Sequence, residues 1–197
     1  MNKKEFFDNL APQWEKEHRI EREMKKVEDL FSHIELKNKD WVLDSGTGTG
    51  RLVPLIRRAV GRLGKIAAMD FSYEMLKIAQ QNHIRENPFF IQANAEKLPF
   101  RNKIFDVVIC FALFPHISDK PKAAEEFYRL LKPGGRFYIA HTMSREELNL
   151  FHSRVKGPVY RDFLPDDDEI KEMIAAAGFR DVKIKNRKDL YIAQARA

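Results

Sequence analysis

The sequence predicts an α/β fold: a seven-stranded, mostly parallel sheet with helices on both faces and an antiparallel hairpin at its carboxyl end. Three observations predict it. Short apolar runs recur at residues 41–43, 66–69, 89–91, 105–111 and 137–140, with stretches able to form helices between them; strand alternating with helix builds a parallel sheet covered on both faces. A glycine-rich turn follows the first run. Two last runs, 182–184 and 190–193, are separated only by 186–189, too little chain for a parallel crossover, so they pair antiparallel. At 197 residues, 44% of them apolar, the chain suits one domain with a substantial core.

Taken in order, the elements have local causes. Ile20, Met24, Val27, Phe31 and Ile34 recur every three or four positions, so residues 13–35 are expected to form one amphipathic helix. The first strand runs into Asp44-Ser45-Gly46-Thr47-Gly48-Thr49-Gly50, with a helix expected from near Arg51. Glycines at alternate positions let a ligand approach the backbone closely, and a helix N-terminus adds donors. Asp44 can brace that turn or meet a cationic ligand. Asp70 ends the second strand, twenty positions after Gly50, where an acid can accept both hydroxyls of a ribose. Ser72 is the expected cap of the helix carrying Met75, Ile78 and Ala79. The helix of Ala124, Phe127 and Leu130 stops at Lys132-Pro133-Gly134-Gly135. Beyond lie a helix at 144–154 and another carrying Ile170, Met173, Ile174 and Ala177, ended by Gly178. The acids Asp166-Asp167-Asp168-Glu169 read as a cap for that last helix rather than as a metal site.

Composition excludes several classes. Cys110 is the only cysteine and sits in an apolar run, which rules out an intramolecular disulfide and a thiolate metal cluster and predicts a buried thiol. No apolar run reaches about 18 residues, so no membrane insertion is expected, and the charged first ten residues predict a cytoplasmic protein. The net charge of +6 permits a nucleic-acid partner, but the basic stretches 16–26, 57–65 and 183–188 fit solvated faces.

Five motifs stand in sequence: Leu43 to Gly50; Met69-Asp70-Phe71-Ser72 with Met75-Leu76; Ala95-Glu96-Lys97-Leu98-Pro99-Phe100; Phe105-Asp106-Val107-Val108; and Leu131-Lys132-Pro133-Gly134-Gly135. Together they resemble the Rossmann-like class I S-adenosylmethionine-dependent methyltransferases, and within them the small quinone-biosynthesis-like, type 11 branch. Phe6-Phe7-Asp8 with Ala11 and Trp14 resembles that branch's amino-terminal lid. The likeness covers residues 6–140, and beyond them only the final hairpin. It implies S-adenosyl-L-methionine as cofactor and S-adenosyl-L-homocysteine as product. It further implies that Asp44, Gly46, Thr47 and Gly48 line the methionine part, Asp70 holds the ribose, and Phe71 flanks the adenine. Asn94, Ala95 and Glu96 would surround the adenine edge, and Cys110 or Phe111 would close the floor beneath the sulfonium. An Asp commonly stands where this chain has Asn94; an amide keeps an acceptor and adds a donor. The resemblance divides the single domain, 1–197, into a helical lid (1–37), a cofactor-binding core (38–141) and acceptor-side helices with the terminal hairpin (142–197).

For the acceptor side, His116 and His141 follow the fourth and fifth strands, where ligands bind in such sheets, and either can serve as a general base. His152 follows on a helix. Convergence of the three histidines with Asp162 on a metal is the competing arrangement, but their spacings carry no metal signature and no metal is assigned. Tyr160, Arg161 and Phe163 offer either a stacking and phosphate-binding surface or a lid. Methyl transfer to a small molecule is the expected function, with methylation of RNA or protein as the alternative. A nicotinamide-dependent dehydrogenase shares the glycine turn, but Arg51 and Val53 occupy the region of its third glycine. A non-catalytic cofactor-binding protein is the remaining alternative, motivated by Asn94.

Overall fold

A computed structural model describes residues 1–18 and 21–197. Its strands are β1 (Trp41–Ser45), β2 (Lys65–Asp70), β3 (Phe89–Gln92), β4 (Phe105–Phe111), β5 (Leu131–His141), β6 (Arg180–Arg187) and β7 (Leu190–Arg196). They form one seven-stranded sheet in the order β3-β2-β1-β4-β5-β7-β6. Pairings among the first five are parallel. β7 runs antiparallel between β5 and β6. The strand order reverses between β1 and β4, and outside the carboxyl ends of these two strands an open α/β sheet leaves its ligand crevice.

Each expected strand is present. The helices are α1 (Lys3–His18), α2 (Glu21–Phe31), α3 (Val53–Val60), α4 (Tyr73–His83), α5 (Lys120–Leu130), α6 (Arg145–His152) and α7 (Asp167–Ala176). Side chains alternate across the sheet, as the pleat requires. Leu43, Val108, Cys110, Phe127, Phe137 and Ile174 fill one core layer, while Val27, Val42, Ile56, Val107, Ile109 and Tyr138 fill the other. β7, covered on both sides, reads Leu190-Tyr191-Ile192-Ala193, all buried; edge strand β6 instead exposes Lys183, Lys185 and Arg187, charges that discourage further strand pairing.

Two expectations need correction. The helix foreseen over 13–35 starts earlier, at Lys3, and ends earlier, at Phe31; its described parts are α1 and α2, and Ile20 lies outside the described residues. The three-and-four spacing of Met24, Val27 and Phe31 belongs to α2, whereas α1 begins at Lys3 and carries its own buried contact, Ala11. The first crossover helix starts at Val53 rather than near Arg51 because the glycine segment turns twice more. Gly50 N donates to Thr47 O, and Val53 N to Gly50 O. Elsewhere the caps are where side-chain chemistry puts them. Ser72 caps α4; Ser144 with Glu147 and Asp166 with Glu169 form reciprocal capping boxes on α6 and α7. The acidic run 166–169 therefore serves the helix it starts.

Candidate active site

The glycine segment leaves β1 under a backbone clamp. Gly46 N and Thr47 N both donate to Met69 O of β2 at 2.8 Å. Gly46 has φ 76°, and a Cβ there would stand 2.7 Å from Leu113 Cβ, so only glycine fits. At Gly48, φ 56°, a Cβ would meet nothing within 4 Å; this stretch of backbone faces open space. Asp44, at the end of β1, is fully buried and is not a wall residue of either cavity described below. Thr47 Oγ1 donates to its Oδ2 at 2.7 Å, but Oδ1 has no partner among the described residues. Burial pushes the carboxyl up to about 7 against the Thr47 hydrogen bond, and neighbouring Asp70 adds to the rise.

Asp70 ends β2 and ties two segments together. Its Oδ2 accepts from Gly48 N and its Oδ1 from Ser72 N, each at 2.9 Å. Burial nevertheless raises its pKa to about 6, those N–H donors opposing. Two adjoining cavities share Gly46, Asp70, Phe71, Leu113 and His116 as walls. The first continues along Asn94, Ala95 and Glu96; the second along Phe7, Trp14, Thr47, Gly48 and Phe111. Asn94 Oδ1 accepts from Glu96 N at 2.9 Å, and Glu96 Oε1 accepts from Ser118 N and Asp119 N at 3.1 Å each. Glu96 thereby braces the loop after β4 against the loop after β3.

Helix α1 lies across this cleft. Asp8 Oδ1 accepts from Ser72 Oγ at 2.6 Å and from Glu74 N at 3.3 Å, placing a carboxylate at the start of α4, where the helix dipole favours it. The Phe7 ring packs edge-on at 5.6 Å from Phe71 and 5.2 Å from His116. Lys3 Nζ donates to His116 O at 3.1 Å and to Asp162 Oδ1 at 2.7 Å. Lys3 and Leu113 are wall residues that sequence reasoning missed, and no sequence signal marks Lys3, whose partners lie 113 and 159 positions away.

His116 lines both cavities, and its Nδ1 lies 2.8 Å from Asp162 Oδ2. A carboxylate at Nδ1 fixes the proton there and leaves Nε2 as the ring's acceptor. Burial alone would lift the Asp162 carboxyl, but hydrogen bonds from His116 and Lys3 hold it below its ordinary value. His152 packs 5.0 Å from His116 and contacts Asp162 O through Nδ1.

The other sequence candidates are placed differently. His141 is 3% exposed and lines neither cavity; β7 covers it, the Tyr191 ring lying 6.3 Å away. Burial, then the neighbouring His116 and His152, pushes its pKa down to about 3. Cys110 is likewise fully buried and lines neither cavity, and burial raises its thiol pKa. Phe111, the next residue along β4, faces the second cavity. Although the histidines approach one another, among the described residues no group of three or more His, Cys, Asp or Glu side chains is placed to hold a metal. Tyr160, Arg161 and Phe163 are exposed and line neither cavity.

Comparison with known proteins agrees with this geometry. The methyltransferase domain family matches residues 43–139, from β1 through most of β5. The ubiquinone/menaquinone biosynthesis C-methyltransferase UbiE of Escherichia coli is 34% identical over 172 residues, which cover 74% of this chain and 68% of the relative. Among solved structures, a SAM-dependent methyltransferase from Aquifex aeolicus has a TM-score of 0.68 at 27% identity, covering 88% of both chains. The methyltransferase bound to the Trm112 activator in Haloferax volcanii shares the fold, with a TM-score of 0.80 at 21% identity over 97% of both chains.

Proposed function

Because the chain belongs to the methyltransferase-domain family of S-adenosylmethionine-dependent enzymes, we propose that it methylates a ring carbon of a small hydroxylated aromatic acceptor, with His116 as general base. The observation that carries the reading is His116 itself, on a wall common to both cavities with Nδ1 held by Asp162. The second cavity also carries four aromatic side chains, Phe7, Trp14, Phe71 and Phe111, which suit a flat ring. The name of the relative UbiE, a quinone-biosynthesis C-methyltransferase, points to the same acceptor class.

The residues present fit the cofactor. The open backbone at Gly48, the partnerless Oδ1 of buried Asp44 and the acid Asp70 between the cavities match a ligand with a cationic methionine part and a ribose. In this reading Asp44, Gly46, Thr47 and Gly48 hold the methionine part, Asp70 the ribose, and Phe71, Asn94, Ala95 and Glu96 the adenine, with Phe111 beneath the reacting end. When bound, S-adenosylmethionine supplies an electrophilic methyl group on a sulfonium. The chain's own task is then to align the acceptor, exclude water and manage one proton. His116 Nε2 takes the proton of the ring hydroxyl, which puts electron density on the ring carbon beside it; once methylated, that carbon loses its hydrogen as a proton to solvent, and the ring oxygen takes back the proton held by His116, restoring the aromatic ring. Asp162 stabilises the imidazolium so formed. Phe7 and Trp14 cover the cleft. His141, neutral and buried, has no part in this step.

Incubation with S-adenosylmethionine and a panel of hydroxylated aromatic and quinol compounds, with tRNA and rRNA in parallel, tests the reading. Methylation at carbon, reduced about 10²–10⁴-fold in H116A, is the expected result. Methylation of RNA alone, or full turnover by H116A, would overturn it.

A further inference from the structure

The segment that delivers Asp162 to the cleft has a surface for which methyl transfer has no use. Ten large hydrophobic side chains stand exposed among the described residues, and three of them, Leu150, Phe151 and Tyr160, fall in this one stretch, each 48–52% exposed; a fourth, Phe163, lies beyond it in a cleft with Glu125, Glu169 and Glu172. Arg154, Lys156 and Arg161 are exposed among them, and residues 150–161 contain no acid. Asp162, which follows, turns inward to Lys3 and His116 and leaves that positive charge uncompensated.

The segment is folded, not a trailing loop. Arg161 N donates to His152 O at 3.2 Å, so the chain leaves α6 and returns to the same point, closing a compact loop of the Ω type. Buried His152 and Val159 anchor it from inside. Closure brings the backbone at Arg161 back to the carboxyl end of α6, and the Arg161 guanidinium lies 5.1 Å from the Tyr160 ring centroid. Gly157 rests on α1, where a Cβ would be 3.6 Å from the Phe6 ring. The loop is therefore continuous with both the lid and the wall that carries His116.

We infer that the 150–161 loop is a docking surface for an anionic lipid bilayer, seating the mouth of the cleft on the membrane–water interface. Exposed apolar side chains interspersed with exposed basic ones along the loop mark a surface that gains by being covered. Phe151 and Leu150 suit the acyl boundary, while Tyr160, Arg154, Lys156 and Arg161 reach the headgroup level with apolar stems and polar tips. The three basic side chains of the loop, Arg154, Lys156 and Arg161, select a negatively charged leaflet. A single-stranded nucleic acid fits less well, because stacking needs aromatic faces and Leu150 offers none. Docking here is contact with the surface and not insertion, since no helix among the described residues is long and apolar enough to cross a membrane. It would present the cleft where an apolar acceptor dissolves.

Flotation of the full chain with vesicles tests the proposal, using phosphatidylglycerol mixed with phosphatidylcholine against phosphatidylcholine alone. The expected result is binding to the anionic vesicles that weakens with salt. It should fall at least about tenfold in F151A/Y160A and again in R154E/K156E, with the affinity for S-adenosylmethionine unchanged in both. The control L63A/F89A removes two exposed apolar side chains near the amino-terminal ends of β2 and β3 and should bind like the unaltered chain. Absence of binding at low salt, variants that bind undiminished, or tRNA bound through these residues while anionic vesicles are not, would overturn it. No methyl acceptor enters the measurement, so its failure is separate from that of the acceptor reading.

Discussion

Asp70 and Asp44 are both buried acids with raised pKa values, and pH should separate their effects. For Asp70, a folded pKa of about 6 against an ordinary 3.8 means that the folded chain binds the proton more tightly than the unfolded one. Its contribution to stability is present below the ordinary value and is lost as pH rises through about 6. Cofactor binding runs the other way, because only the carboxylate accepts two ribose hydroxyls. Affinity for S-adenosylmethionine should fall by up to about tenfold per pH unit below that pKa, and D70N should flatten the profile; calorimetry across this range checks both. For Asp44, raised to about 7, a cationic ligand nearby favours the charged form, so binding near neutrality should release a proton. The apparent binding enthalpy would then vary with the ionisation enthalpy of the buffer, and D44N should remove the variation. Asp44, Asp70 and the glycines were legible because their spacing about two strand ends is short-range. The difference between His116 and His141 was not legible, as both follow strands in sequence. What separates them is β7, which returns from the far end of the chain to pair with β5 opposite His141.

Helix α1 is held by pairs that no local pattern contains. Lys3–Asp162 and Asp8–Ser72 pin its first turns across the cleft, and Asp162 is at once the lid's anchor and the partner of His116. D162N should therefore lower kcat by about 10²-fold and shift the pH profile of turnover, whereas K3A should act chiefly on KM; steady-state kinetics against pH distinguishes a positioning role from loss of structure. At α4, S72A removes both the cap on Met75 N and the donor to Asp8, and thermal unfolding should show a loss of about 1 kcal/mol or more. Ser72 and the acids from Asp166 were readable as caps because a cap is a two- or three-residue event. The start of α1 at Lys3 was not readable. The period of Met24, Val27 and Phe31 extends backwards to Ile20, whereas the first turns of α1 are held by partners far along the chain.

At the scale of the molecule, strand–helix alternation gave the parallel half of the sheet and a short last connection gave the hairpin. The spatial order of the strands was not available from those signals. It depends on which edge each crossover takes, and it is this order that reverses between β1 and β4 and brings the ends of β1, β2 and β4 around one cleft. A calorimetric titration with S-adenosylmethionine, S-adenosylhomocysteine and NAD, on the unaltered chain and on D70A, tests that arrangement most directly. The expected result is binding of the first two ligands and not of NAD, weakened about 10–100-fold in D70A by loss of hydrogen bonds to a charged group; undiminished binding in D70A, or binding of NAD in place of S-adenosylmethionine, would contradict it.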